Sequence, residues 1–341
     1  MKLQHGKQAM KIANVLLALT LLFVFSGCGS SGSSSQSTPS GSAAAPSKEQ
    51  APSSPVIASE VTIAHALGTA TIKETPKRIV YLYQGALDMS AALGVKPVGA
   101  VESTDQKPWF AYLGDMNGVE NLGDEGQPNV EAIVALKPDL IVATKVRHEK
   151  IYAQLEAIAP TIVTEDLADW KTSLPIVAKA LGKVSEANAL LEDWNGRVAE
   201  FKKKMGDKLA STTVSLIRVQ RDGSVKVYLK GFPGLMMQEL GLAPPKSQQV
   251  EFSGSGLDIT SKEHIPQFDA DYIFDLTTVL PGQESIPDLY KEWTSHPLWK
   301  ELNAVKNGKL IQVDPIMWNF GAGPLAAKAM LADVFQYFNL S

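Results

Sequence analysis

One cysteine, five scattered histidines and no long apolar run after the first 27 residues are what this 341-residue chain offers the usual chemistries. A single thiol at Cys28 excludes a disulfide framework and leaves the fold to its core. His5, His65, His148, His264 and His296 have no ligand spacing, which excludes a zinc or manganese centre built on histidine pairs. The sequence contains no GxSxG and no HExxH, and Ser, His and Asp are spread without a pattern, which argues against an exported hydrolase. Gly321-x-Gly323-x-x-Ala326 completes only part of a dinucleotide fingerprint, with no second strand and no later acid, and reads as a turn. Basic residues are dispersed, which excludes a nucleic-acid footprint.

What is present begins with an export signal. Lys2, Lys7 and Lys11 precede the apolar run 12–25, too short for an ordinary membrane span, and Ser26-Gly27 forms a small-residue cleavage site before Cys28. Residues 1–27 therefore read as a signal peptide resembling that of a bacterial lipoprotein, with Cys28 the lipidated N-terminus. Removing them takes three lysines and no acid, so 32 basic residues become 29 against 36 acidic ones and the net charge of −4 becomes −7. Residues 28–59 are Ser, Gly, Ala and Pro with little to bury, a tether expected to be disordered. The full chain is 45% hydrophobic, and what remains beyond the tether is large enough for two domains.

The longest periodic segment is 185–206, where Leu190, Leu191, Trp194, Val198, Phe201 and Met205 share one helical face. Ser185 is its expected N-cap and Gly206 its stop. The flanks echo one another. Strand 79–83 with a helix ending at Leu93-Gly94 is matched by 225–229 with a helix ending at Leu240-Gly241. Helix starts at Glu131 and Glu263 each stand eight residues before an Asp, Asp139 and Asp271, that opens an apolar strand. The reading is an α/β fold of two lobes, 60–184 and 208–341, bridged by a single long helix at 185–207. Strands alternating with helices place a ligand cleft beyond the strand carboxyl ends, between the lobes.

The succession PKRIV, ALGVKPVG, PNVEAIVALKPDLIVA with a basic residue after it, and LEAIAPTIV resembles the substrate-binding proteins of bacterial ABC importers for iron chelates. Within that family, RHEKIY (147–152) and WNFGAGPLAAKAML (318–331) resemble binders of ferric citrate or mixed citrate–hydroxamate siderophores. The resemblance implies a monomeric, lipid-anchored protein on the outer face of the cell membrane that is not an enzyme. It would pass a ferric siderophore to permease subunits served by a cytoplasmic ATPase. No cofactor is implied, because the chelator already fills the ferric ion with oxygens and the protein needs only to grip an oxygen-rich, anionic shell. Haem or cobalamin carried on the same fold is the alternative cargo; Tyr83, Tyr112 and Tyr228 offer haem an axial ligand.

Arginine forks suit carboxylates, and aromatic rings suit the apolar flanks of a chelate. Arg147, just beyond a buried strand, is the first candidate. Arg218, inside the apolar run VSLIRV, either bridges internal carboxylates or faces the cleft. Trp318, after a strand and before a Gly-rich turn, and Tyr228, at a strand end, are expected in the cleft. Tyr83 and Gln84 end the first parallel strand, where Tyr83 serves either contact or packing; Trp109 lies in the long loop 103–128. Lys230, Arg221 and His148 read as surface charges beside the cleft. In the resembling family, paired glutamates on the lobe tops meet arginines of the permease, a role that would fall to Glu131 and Glu263.

Overall fold

A computed structural model describes residues 60–280 and 282–340; the signal segment, Cys28 and the tether to residue 59 lie outside them. The first described element is the hairpin β1 (Val61–His65) and β2 (Gly68–Ile72), antiparallel as the alternation predicts. It docks on the first lobe through the Ala66 N–H, which donates to Val163 O at 2.9 Å.

The first lobe is a fully parallel sheet in the order β5-β4-β3-β6-β7. Its strands are β3 (Ile79–Tyr81), β4 (Gly99–Ala100), β5 (Glu120–Asn121), β6 (Leu140–Thr144) and β7 (Thr161–Thr164). Helices α1 (Gln84–Ala92), α2 (Val130–Leu136), α3 (Lys145–His148), α4 (Tyr152–Ile158) and α5 (Trp170–Leu181) return the chain between or after them. Every residue of β6 and β7 is buried, as expected of strands covered on both faces. Asn129 caps α2 by accepting the Ala132 N–H at 3.0 Å, and Lys137 ends it in the left-handed region.

α6 (Val184–Met205) is the predicted strut, 22 residues and roughly 33 Å long. Its N-cap is Lys183, whose side chain makes no capping bond, and Ser185 is the second residue inside the helix, a correction to the expected start. Trp194, Val198, Phe201 and Met205 are buried as predicted, with Leu190 and Leu191 only partly covered. The Trp194 ring meets Trp170 of α5 edge-on at 5.6 Å, and Phe201 meets Phe335 at 5.7 Å. One continuous core runs from α1 and α5 through α6 into the second lobe.

The second sheet has the order β10-β9-β8-β11-β12. It consists of β8 (Val214–Val219), β9 (Val225–Tyr228), β10 (Gly256–Ile259), β11 (Tyr272–Asp275) and β12 (Leu310–Gln312). Strands β8, β11 and β12 are parallel, while β9 is antiparallel to both β8 and β10. The lobes thus share a plan, but the matching strand to β3 is β8 and not 225–229. The turn at Asp222-Gly223 reverses the chain, so the strand feeding α7 (Gly231–Leu240) runs the opposite way. The matched aspartates mark the true correspondence. Asp139 accepts the N–H groups of Lys77 and Arg78, each at 2.8 Å, and Asp271 accepts the Thr213 N–H at 2.7 Å and its hydroxyl at 2.8 Å. Each carboxylate thereby ties the foot of a central strand to the next. The lobe is completed by α8 (Ile286–Thr294), α9 (Pro297–Glu301), α10 (Asn303–Lys306), a π-turn at Ile316–Phe320 and α11 (Pro324–Tyr337).

Candidate functional site

A cleft of about 760 Å³ opens between the lobes, walled by the carboxyl ends of first-lobe strands and by Tyr228, Asn319 and Phe320 of the second. Its position follows from strand direction, since helix starts and exposed amides gather where parallel strands end.

Arg147 lies in the cleft as predicted, on α3 directly after β6, with its side chain half exposed. Its Nε donates to Glu125 Oε1 at 3.4 Å, which aims the fork. Glu125 is held in turn: its Oε2 accepts the Gln84 N–H at 3.1 Å, and its carbonyl oxygen accepts His148 Nε2–H at 2.9 Å. His148 Nδ1 accepts the Thr144 N–H at 3.1 Å, which assigns the proton to Nε2. Burial pushes the His148 pKa down, so the ring is neutral; it is an interior bracket and not the surface charge the sequence suggested. Burial pushes the Glu125 carboxyl up, opposed by the Gln84 N–H and by Arg147.

Gln84 also lines the cleft. Its Nε2 donates to the carbonyls of Glu102 at 3.0 Å and Val101 at 3.5 Å, while its buried Oε1 has no partner. Glu102 and Lys107 form an ion pair on the same wall; that contact, with Asn121 donating at 3.2 Å, holds the Glu102 carboxyl below its ordinary range. Tyr228 lines the opposite wall, its hydroxyl accepting from Asn319 Nδ2 at 3.4 Å.

Arg218 takes neither of the two expected roles in full. Its guanidinium carbon stands 5.0 Å from the centre of the Phe320 ring, its Nε is buried without a partner, and it makes no ion pair among the described residues. It opens onto a neighbouring hollow with Gln220, Arg221 and Asp222, joined to the cleft by Gln283.

Two expected cleft residues belong to the core. Trp318 is fully buried, 4.7 Å from the Phe274 ring, with Nε1–H donated to Asp333 at 2.9 Å. Within its π-turn, Asn319 and Phe320 face the cleft instead. Tyr83 is buried beneath α1 and accepts the Thr164 hydroxyl proton at 2.9 Å, which settles it as packing. Trp109 packs half-buried against the core and is absent from the cleft wall, whereas Lys107, two residues earlier, reaches it. Lys230 rests over Phe252 at 5.5 Å, outside the cleft.

Sequence reasoning missed the acids. Glu102, Asp124 and Glu125 sit in a polar loop whose composition gives no sign of which side chains turn inward. Among the described residues no group of three or more His, Cys, Asp or Glu side chains is placed to hold a metal.

Comparison with known proteins follows this geometry. The family described as "Periplasmic binding protein" matches residues 79–317. The probable siderophore-binding lipoprotein YfiY of Bacillus subtilis is 40% identical over 334 residues, covering 96% of this chain and 98% of that protein. The achromobactin-binding periplasmic protein of Dickeya dadantii is 34% identical, covering 76% of this chain and 85% of its own. Among solved structures, Staphylococcus aureus SirA complexed with staphyloferrin B superposes with a TM-score of 0.77 at 40% identity, covering 82% of this chain and 99% of that one.

Proposed function

Because the chain belongs to the periplasmic binding protein family, as a siderophore-binding component of an ABC importer and not an enzyme, we propose that its cargo is a ferric siderophore of carboxylate or citrate–hydroxamate type. The observation that carries the cargo class is Arg147, a guanidinium aimed by a partly buried carboxylate into a cleft of about 760 Å³. A planar fork held at one nitrogen presents its remaining donors in pairs, the geometry that matches a carboxylate. Tyr228 and Phe320 supply the apolar flank, and the iron stays within the chelator's own oxygens.

Delivery is assigned to Glu131 and Glu263. Each is exposed in the first turn of its helix, α2 for Glu131 and the short 3-10 helix Lys262–Phe268 for Glu263, behind a capping Asn129 or Ser261, and neither makes an ion pair among the described residues. Each helix leads into a parallel strand, β6 or β11, and so begins toward the cleft side of its lobe. Two carboxylates so placed would let the permease read the separation of the lobes. Cys28 would carry the lipid that keeps the protein at the membrane, in line with relatives named as lipoproteins. Among the described residues no helix is long and apolar enough to cross a membrane.

The test is a titration followed by tryptophan emission, with ferric citrate, a ferric citrate–hydroxamate siderophore, haem and cobalamin. Saturable quenching by the ferric carboxylate chelates is expected; quenching by haem alone would overturn the reading.

A further inference from the structure

Both cations on the cleft wall already have an acidic partner, Lys107 in Glu102 and Arg147 in Glu125. Two cations without one stand close by, in the hollow of about 390 Å³ lined by Arg218, Gln220, Arg221, Asp222 and Gln283. β8 ends and turns there, which puts the hollow on the cleft side of the second lobe, whereas Arg147 belongs to the first. Gln283 lines both spaces, and Arg218 stands over the ring of Phe320, which walls the cleft.

The hollow does not neutralise its own charge. Arg218 rises from a buried stretch of β8 with Nε sealed in the wall, and no nitrogen of its guanidinium has an acceptor among the described residues. The two terminal nitrogens are what it can present to the hollow. Arg221 is exposed and forms no ion pair among those residues either. Asp222 is turned to its own β-turn, where Oδ1 accepts the Ser224 N–H at 3.0 Å and the Ser224 hydroxyl at 2.7 Å. Gln220 is engaged as well, donating Nε2 to Ser224 Oγ at 3.1 Å and to Asp258 at 3.0 Å. Two cations against one acid leave the lining net positive. A guanidinium held partly out of water without acceptors has given up hydration that an arriving anion restores. The Phe320 ring, 5.0 Å away, supports it from one face, so the fork needs little further ordering.

We propose that this hollow is a second anion subsite, in which the terminal nitrogens of Arg218, together with Arg221, receive a carboxylate arm of the cargo that reaches past Phe320 and Gln283. Another carboxylate of the same cargo meets Arg147, so a chelate with an acid at each end is gripped by both lobes at once. A chelate without a free arm fills the cleft alone. An uncharged amide in place of the arm's carboxylate keeps the shape and loses the charge-assisted bonds.

This rests on the siderophore reading, and the experiment separates the two. The purified protein is titrated with the ferric complex of a dicitryl chelator carrying one further carboxylate on a linker that keeps it off the iron. The comparisons are the twin in which that carboxylate is a primary amide, and ferric citrate. The acid is expected to bind tighter than the amide by about tenfold or more. In Arg218→Met and in Arg221→Ala that preference shrinks to about threefold or less, whereas in Arg147→Ala both twins weaken together and the preference stays. Arg221 is exposed, so its loss leaves the fold intact should Arg218→Met disturb β8. Equal affinity for the twins overturns the second subsite and leaves the siderophore reading standing. A preference that survives Arg218→Met and Arg221→Ala, or that disappears in Arg147→Ala, overturns the placement. Failure of all three chelates to bind removes both readings.

Discussion

Arg147 gains its importance from what holds it. Glu125 fixes Nε, Gln84 and His148 fix Glu125, and the fork that remains needs little further ordering when a carboxylate arrives. Arg147→Ala is expected to weaken ferric citrate binding by about 10- to 100-fold, and Arg147→Lys to recover little of it, because an ammonium cannot span two oxygens. Thermal stability should hardly change, since the Arg147–Glu125 pair is 3.4 Å long with a half-exposed arginine. Asp88 is the opposite kind of residue, fully buried and outside the cleft. It accepts the N–H groups of Leu325 at 2.8 Å and Ala326 at 3.1 Å and the Tyr112 hydroxyl at 2.9 Å, joining α1 to the start of α11. Burial outweighs those donors and pushes its carboxyl up to about 7. A raised acid binds its proton more tightly folded than unfolded, so its contribution is present in full at low pH and is lost as pH rises from about 4 to about 7. The stability difference between the native protein and Asp88→Asn should therefore fall by about 2 to 3 kcal/mol between pH 5 and pH 8 in urea melts. A difference that does not change with pH would place the proton elsewhere. Arg147 was legible because a basic residue directly after a buried strand has few places to go but the cleft. Trp318 and Tyr83 were not, because an aromatic ring at a strand end suits core and cleft equally and only the turn geometry decides.

The elements divide by how much apolar surface they bury. α6, β6, β7, β8 and β11 read cleanly from sequence because runs of covered residues set their period. β10 was hidden in a polar loop, since Gly256–Ile259 buries only its two end residues and pairs along one edge. Helices α8, α9 and α10 were hidden for a related reason, being short pieces anchored by one or two side chains such as Trp293 and Trp299. What no periodicity announces is the junction of three helices behind the cleft. Glu239 of α7 accepts from Lys171 of α5 and from Trp194 Nε1 of α6, each at 2.5 Å. Removing the carboxylate leaves a buried indole N–H without an acceptor, so Glu239→Ala is expected to cost about 1 to 3 kcal/mol. Glu239→Gln retains an acceptor and loses only the ion pair, whose partners are roughly a third exposed, so it should cost about 1 kcal/mol or less. A double-mutant cycle with Trp194→Phe in urea melts checks the assignment, since the excess cost of Glu239→Ala should vanish once the indole is gone.

At the scale of the molecule, two sheets of the same strand order face one cleft across a helix, and each part of the transport role takes a different piece of that plan. The proposed docking through Glu131 and Glu263 would be a property of both lobes together. Glu131→Ala with Glu263→Ala should leave the affinity for ferric citrate in solution unchanged while abolishing uptake by cells; undiminished uptake would reject the assignment. Motion between the lobes is constrained by what lies behind the cleft. α6 shares one continuous core with α5 and with α11, so a wide swing would have to open packed apolar surface along its length. Lys171–Glu239 ties α5 to α7, and Asp88 ties α1 to the head of α11, within a few residues of the cleft-lining Asn319 and Phe320. These ties leave rotamer changes and a slight rocking as the available response to cargo, in contrast to domains joined by extended strands that hinge freely. Crystal structures with and without a ferric chelate should therefore differ by a lobe rotation far below about 30°, the scale of a large hinge motion. A rotation beyond that angle would mean that the Asp88 and Glu239 contacts break on binding, and Asp88→Asn and Glu239→Gln would then raise the affinity for cargo.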